Sequence, residues 1–168
     1  GVLLKFGSDI ERTWLRDLLN KLTDKRHDDT RTTPDGSYVI LLAEDNQLSR
    51  SMFQQALSES NRAGGANLSI VESDSPVSTR NVLARQRVDL MIIEWRMCPT
   101  NNGTLLEELC AMPEWNAPTV LVVGGTEEEG RQAMAAGADA FLRRPVPAKG
   151  LIHTVRSLLN QRSPTRQP

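Results

Sequence analysis

The chain has 168 residues, 39% of them hydrophobic and 24% charged, and its 20 basic and 21 acidic side chains leave a formal net charge of −1. That is enough apolar chain for one sizeable core with sequence to spare, which excludes global disorder. So even a balance excludes a broad basic surface for nonspecific nucleic-acid binding. No apolar run approaches the ~20 residues that cross a bilayer, and the N-terminus lacks the basic-then-apolar order of a signal peptide, so a cytoplasmic protein without membrane contact is expected. The two cysteines, Cys98 and Cys110, match neither a disulfide framework nor a zinc motif and read as reduced thiols.

In chain order, Val2-Leu3-Leu4-Lys5-Phe6 reads as a strand. Ser8 and Glu11 have capping-box spacing, and Ile10, Trp14, Leu15, Leu18, Leu19 and Leu22 then share one helical face. Residues 23–37 are a polar linker. The run Val39-Ile40-Leu41-Leu42-Ala43 is apolar throughout, as in a strand buried on both faces of a parallel sheet. Leu48, Met52, Phe53, Ala56 and Leu57 are expected on the buried face of the following helix. Gly64-Gly65 marks a turn, Leu68–Val71 a second strand, and Ser75-Pro76 an N-cap with proline in the first helical turn.

Leu90-Met91-Ile92-Ile93 is a third strand ending at Glu94. Pro99 to Gly103 reads as a loop, and Leu105, Leu106 and Leu109 start a third helix. Thr119–Val123, the most β-branched run, precedes Gly124-Gly125 and the helix start Thr126-Glu127-Glu128-Glu129. Gly137 closes that helix, Ala140-Phe141-Leu142 is a fifth strand, and Leu151, Ile152, Val155, Leu158 and Leu159 are the stripe of a last helix. The tail 161–168 is polar. Five strand–helix units in succession predict an α/β, flavodoxin-like (βα)5 three-layer sandwich around a parallel five-stranded sheet.

In such sheets the site lies beyond the carboxyl ends of the strands. The residues there are Glu44 and Asp45, Glu94, Val123 with Gly124, and Arg144. Three carboxylates, Glu44, Asp45 and Glu94, are expected to converge as oxygen ligands suited to Mg²⁺, against the plainer reading of solvated turn residues. Gly124-Gly125 at a helix start is a weak signal for an anion-binding small α/β enzyme. His27 reads as a linker residue and His153 as a surface one.

Residues 38–160 resemble a receiver domain of a two-component response regulator or hybrid histidine kinase. The resemblance rests on Leu41-Leu42-Ala43-Glu44-Asp45-Asn46, on the Asp89–Pro99 segment, and on Ala136-Gly137-Ala138-Asp139-Ala140-Phe141-Leu142-Arg143-Arg144-Pro145. It implies that the acidic pair holds Mg²⁺, with a main-chain ligand near Arg96. It also implies an Asp phosphoacceptor ending the third strand, a Ser or Thr ending the fourth, and a Lys before the proline. This chain has Glu94, Val123 and Arg144 at those three places, and Cys98 lengthens the loop after Glu94. Phe141 stands at the family's switching aromatic, unless it is ordinary core. Residues 1–22, laid 38 residues downstream, fall on the first receiver unit and suggest a remnant of a second one.

A longer nucleophile and a missing hydroxyl both oppose in-line phosphoryl transfer. The expected function is therefore that of a degenerate receiver, or pseudoreceiver, in a phosphorelay. It would be a phosphorylation-independent docking module that is not itself an enzyme and needs no cofactor, with Mg²⁺ optional. Arg144 either pairs permanently with Glu94 or points to solvent. The resemblance implies a protein partner, such as the kinase domains of a hybrid sensor histidine kinase, and no nucleic acid. Dimers would form through the N-terminal helix or through the face of the fourth helix, fifth strand and fifth helix. The rival reading is a working Mg²⁺-dependent phosphoacceptor using Asp45 or Glu94.

Overall fold

Strands and helices alternate in the order dictated by the apolar runs and stripes. A computed structural model describes residues 37–100, 103–112 and 117–162. The expectations for residues 1–36, including the strand–helix extension and His27, and for the tail from residue 163 lie outside the described residues. The main elements are β1 (Tyr38–Ala43), α1 (Gln47–Arg62), β2 (Leu68–Ser73), α2 (Pro76–Arg85), β3 (Leu90–Glu94), α3 (Leu105–Cys110), β4 (Thr119–Gly124), α4 (Glu127–Ala135), β5 (Ala140–Arg143) and α5 (Ala148–Arg162). The strands form one parallel sheet in the order β2-β1-β3-β4-β5. This is the expected (βα)5 flavodoxin-like fold.

Side chains alternate across a strand, so each central strand feeds two cores. Leu41, Met91, Ile93, Val120 and Val122 face α2, α3 and α4. Ile40, Leu42, Leu90, Ile92, Leu121 and Val123 face α1 and α5, where they meet Phe53, Leu57, Leu151 and Val155. Both faces being covered explains why these strands carry no polar alternation.

The helix boundaries follow local chemistry. Ser75 caps α2, with Pro76 in its first turn. Thr126 caps α4 in a capping box with Glu129. Gly137 follows α4 with φ +107°, and a Cβ there would come within 2.3 Å of Cys110 Sγ, so glycine is required twice over.

Two expectations change. Leu48 and Met52 are 71% and 60% exposed, whereas Phe53, Ala56, Leu57 and Ser60 form the buried face of α1. At 100° per residue, Met52 and Leu48 fall roughly 90° and 130° from the centre of that face. The loop after β3 is also more ordered than a plain connection. Trp95–Met97 is a 3₁₀ turn, and Pro99–Thr100 pairs antiparallel with Gly103–Thr104.

Candidate functional site

The same alternation that fills the core places the strand-end charges. Glu44 and Glu94 follow Leu42 and Ile92 at a spacing of two, and Arg144 follows Leu142, so all three project toward the α1 side. Arg144 Nη2 donates to Glu44 Oε2 at 2.5 Å and to Glu94 Oε2 at 2.6 Å, and its Nε also reaches Glu94 Oε2 at 3.2 Å. Both carboxylate side chains are sealed from water, 1% and 4% exposed, while the arginine side chain keeps 31%. The Arg144–Glu94 ion pair expected from sequence is therefore present, and Glu44 shares it.

Helix α1 supplies the remaining walls. Ser49 Oγ accepts from Arg144 Nη1 at 3.4 Å, and the guanidinium lies 5.5 Å from the centroid of the Phe53 ring. Neither residue was singled out in the sequence. Their spacing of four, at the start of the helix that follows β1, was the signal that could have found them. Glu44 is fixed further by Asn46 N–H, which donates to its Oε1 at 2.9 Å, and by Arg50 Nη1, which donates to its carbonyl at 2.6 Å. On the other side of Glu94, Oε1 lies 3.5 Å from Arg96 Nε, whose side chain is largely exposed.

Burial pushes the Glu44 carboxyl above its ordinary value. The Asn46 N–H and the charge of Arg144 pull it down, and the neighbouring Glu94 pushes it up again. For Arg144, burial disfavours the charged form, but hydrogen bonding and charge from Glu94, then from Glu44, outweigh it and raise the pKa. The guanidinium is charged at every working pH.

The expected convergence of three carboxylates is corrected to two. Asp45 is exposed and is not among the carboxylates that Arg144 holds. Among the described residues, no three or more His, Cys, Asp or Glu side chains stand together as a metal-holding group. Mg²⁺ asks for oxygen ligands in near-octahedral geometry. Here the oxygens that Glu44 and Glu94 turn towards each other are both taken by one guanidinium nitrogen. As arranged, these residues fit a guanidinium and do not fit a divalent ion.

Val123 pairs in register with Glu94, where a hydroxyl would face the acceptor, but it is 1% exposed and packed into the α1–α5 core. Cys98, the extra loop residue, is fully buried, and its thiol donates to the Glu94 carbonyl at 3.7 Å. Burial, with the adjacent Glu94 charge, pushes that thiol up to about 12, so it stays protonated. Phe141 is half-buried over a bed of glycines. A Cβ at Gly124 or Gly130 would fall 2.9 or 2.7 Å from its ring. The expected anion site at Gly124-Gly125 is corrected as well, because Glu129 Oε2 already accepts from the N–H groups of Gly125 and Thr126. His153 is exposed, as expected.

The parallel sheet sets one acidic residue just after β1 and another at the end of β3, and comparison with known proteins identifies the domain. The family model described as response regulator receiver domain matches residues 40–156, and the chain belongs to that family. A search of curated proteins finds no match. Among solved structures, a response regulator from Desulfuromonas acetoxidans is similar with a TM-score of 0.65 at 20% identity, covering 75% of this chain and 99% of its own. A receiver domain from Francisella gives 0.60 at 20% identity, covering 76% of this chain and 100% of its own. The receiver domain of a sensor histidine kinase from Pseudomonas aeruginosa, with a magnesium ion coordinated in its active-site cleft, gives 0.62 at 17% identity, covering 74% and 98%. At such identities the likeness establishes the fold alone. No helix among the described residues is long and apolar enough to cross a membrane.

Proposed function

We propose that this receiver domain is a pseudoreceiver, a docking module of two-component signalling that works without accepting a phosphoryl group. The observation that carries this reading is the Arg144 guanidinium shared by the buried carboxylates of Glu44 and Glu94. In-line transfer needs a free carboxylate lone pair, an open approach and cations arranged around the incoming phosphoryl oxygens. Glu94 Oε2 is engaged by two nitrogens of Arg144, its residue is 5% exposed, and Val123 offers no hydroxyl. Arg144 supplies the positive charge without an added ion, so no cofactor is required. Glu44, Asp45 and Glu94, with the main chain near Arg96, act as a vestigial metal set.

The module acts through a protein partner, such as the kinase domains of a hybrid sensor histidine kinase in the cytoplasm. The α4–β5–α5 face offers Arg131, Gln132 and Lys149 at the surface. Exposed Leu48 and Met52 give α1 a second, apolar contact beside the site. The test is incubation with acetyl phosphate, or with beryllium fluoride and Mg²⁺, read by intact mass and amide chemical shifts. The expected result is no gain of a phosphoryl group and no shift change around Val123. A stoichiometric gain would overturn the reading in favour of a working phosphoacceptor.

A further inference from the structure

Two carboxylates buried side by side resist ionising together unless a cation joins them. Glu44 and Glu94 are such a pair, and all four of their oxygens face a donor. Glu44 Oε1 accepts from Asn46 N–H, and Glu44 Oε2 accepts from Arg144 Nη2. Glu94 Oε2 accepts from Nη2 and Nε of Arg144, while Glu94 Oε1 faces Arg96 Nε at 3.5 Å. An ion bridging the pair would have to displace these donors.

We infer that Arg144 is a tethered replacement for a divalent cation and keeps such ions out of the carboxyl end of the sheet. The inference deepens the pseudoreceiver reading of this site and rests on that reading for its meaning in signalling. The charge of the site is set by the chain itself. A partner therefore meets the same surface whether divalent ions are plentiful or scarce.

Geometry and charge both support exclusion. Nη2 reaches one oxygen of each carboxylate at 2.5 and 2.6 Å, and Mg²⁺ would draw the same oxygens in to ~2.0–2.1 Å. An ion bridging them would either overlap that nitrogen or face its positive charge at close range. Arg96 adds a second positive group beside Glu94. The guanidinium is also held in place. The Arg144 main-chain N–H donates to the Gly124 carbonyl at 2.8 Å, and Ser49 and Phe53 contact the side chain from α1. A group tethered in this way competes at an effective concentration in the millimolar range or above. The planar fork matters as well as the charge, because a lysine ammonium could not engage Glu94 through two nitrogens while reaching Glu44.

Mn²⁺ is the probe, followed in the full chain by paramagnetic broadening of amide signals and by melting temperature. In the unaltered chain, millimolar Mn²⁺ should leave the amides of residues 44–46 and 94–96 no more broadened than the rest, and saturable broadening there overturns the inference. Arg144→Gln removes the charge and keeps much of the side chain's length. Mn²⁺ should then broaden those amides and raise the melting temperature by about 3–6 °C at tenfold its dissociation constant. If the variant is unfolded alone, Mn²⁺ should restore its fold. A variant that neither binds Mn²⁺ nor folds with it overturns the inference. Adding Glu94→Gln should abolish the gain, and a gain that persists places the ion elsewhere and refutes the inference too. None of these measurements involves phosphoryl transfer. Labelling by acetyl phosphate of a chain that still refuses Mn²⁺ would therefore sink the pseudoreceiver reading alone.

Discussion

At the carboxyl ends of the strands the chain gathers charge and closes it off. One guanidinium joins two carboxylates that water barely reaches, with Ser49 and Phe53 as a lining. At the amino ends it leaves a hollow of about 510 Å³, lined by polar and apolar groups alike and open to the outside. In the first region Glu44, Glu94 and Arg144 hold one another from three different strand ends. In the second the lining sets Leu106, Leu109 and Leu158 beside Thr119, Asp139 and Gln161. Substitutions should therefore be costly at the closed, charged end and mild at the open rim.

Arg144→Ala should show the largest effect, a loss of about 3–5 kcal/mol in urea unfolding, because it strands two buried carboxylates. Cys110→Ala at the opposite end should stay within about 0.5 kcal/mol, and a comparable loss at both positions would break the contrast. Gly130→Ala comes next. Its new methyl would meet the Phe141 ring at 2.7 Å, so about 1–3 kcal/mol should be lost to overpacking. Combining it with Phe141→Ala should cost less than the two single changes summed, since the clash disappears with the ring.

A smaller effect sharpens the electrostatics of the closed end. Because the Glu44 pKa is raised, the folded state holds its proton more tightly than the unfolded state does. The stability linked to that proton is complete below the ordinary value of 4.5 and is lost as pH rises through the higher folded value. Glu44→Gln removes this titration, so its melting temperature relative to the unaltered chain should climb from pH 4.5 towards neutrality. A flat difference would mean that Arg144 compensates Glu44 fully. The smallest expected effect is none. Glu94→Asp alone should not restore labelling by acetyl phosphate, because Val123 and Arg144 remain, and robust labelling would show that the extra methylene was the decisive change.

Much of this was legible in the chain. Continuous apolar runs ending in charge define strands buried on both faces, and the order of units defines the sheet. The pairing of Arg144 with Glu94 was one of two readings left open by the sequence, which puts both at strand ends but does not say whether the guanidinium turns inward or to solvent. Asp45 was misread because it lies one residue past Glu44, and a step of one reverses the direction of a side chain near a strand end. Leu48 and Met52 were misread because five apolar residues fit a helical face loosely, and only packing decides where the face is centred. Glu129 was recognised as a helix-start residue. That it would occupy the amides offered by Gly125 and Thr126 depends on a side-chain rotamer, which spacing does not encode.

The guanidinium bridge also bears on how the domain comes together. Arg144 and Glu44 stand 100 positions apart along the chain, and Arg144 and Glu94 stand 50 apart. Closing loops of that length costs entropy, so the bridge is expected to form after the rate-limiting barrier. A bond absent from the rate-limiting barrier acts on escape from the native basin rather than on entry. Loss of Arg144 should therefore steepen decay of the folded form while leaving the refolding arm of a chevron nearly where it was. An unchanged refolding arm would make the clamp a latch on lifetime, and a slowed one would place it in the folding nucleus.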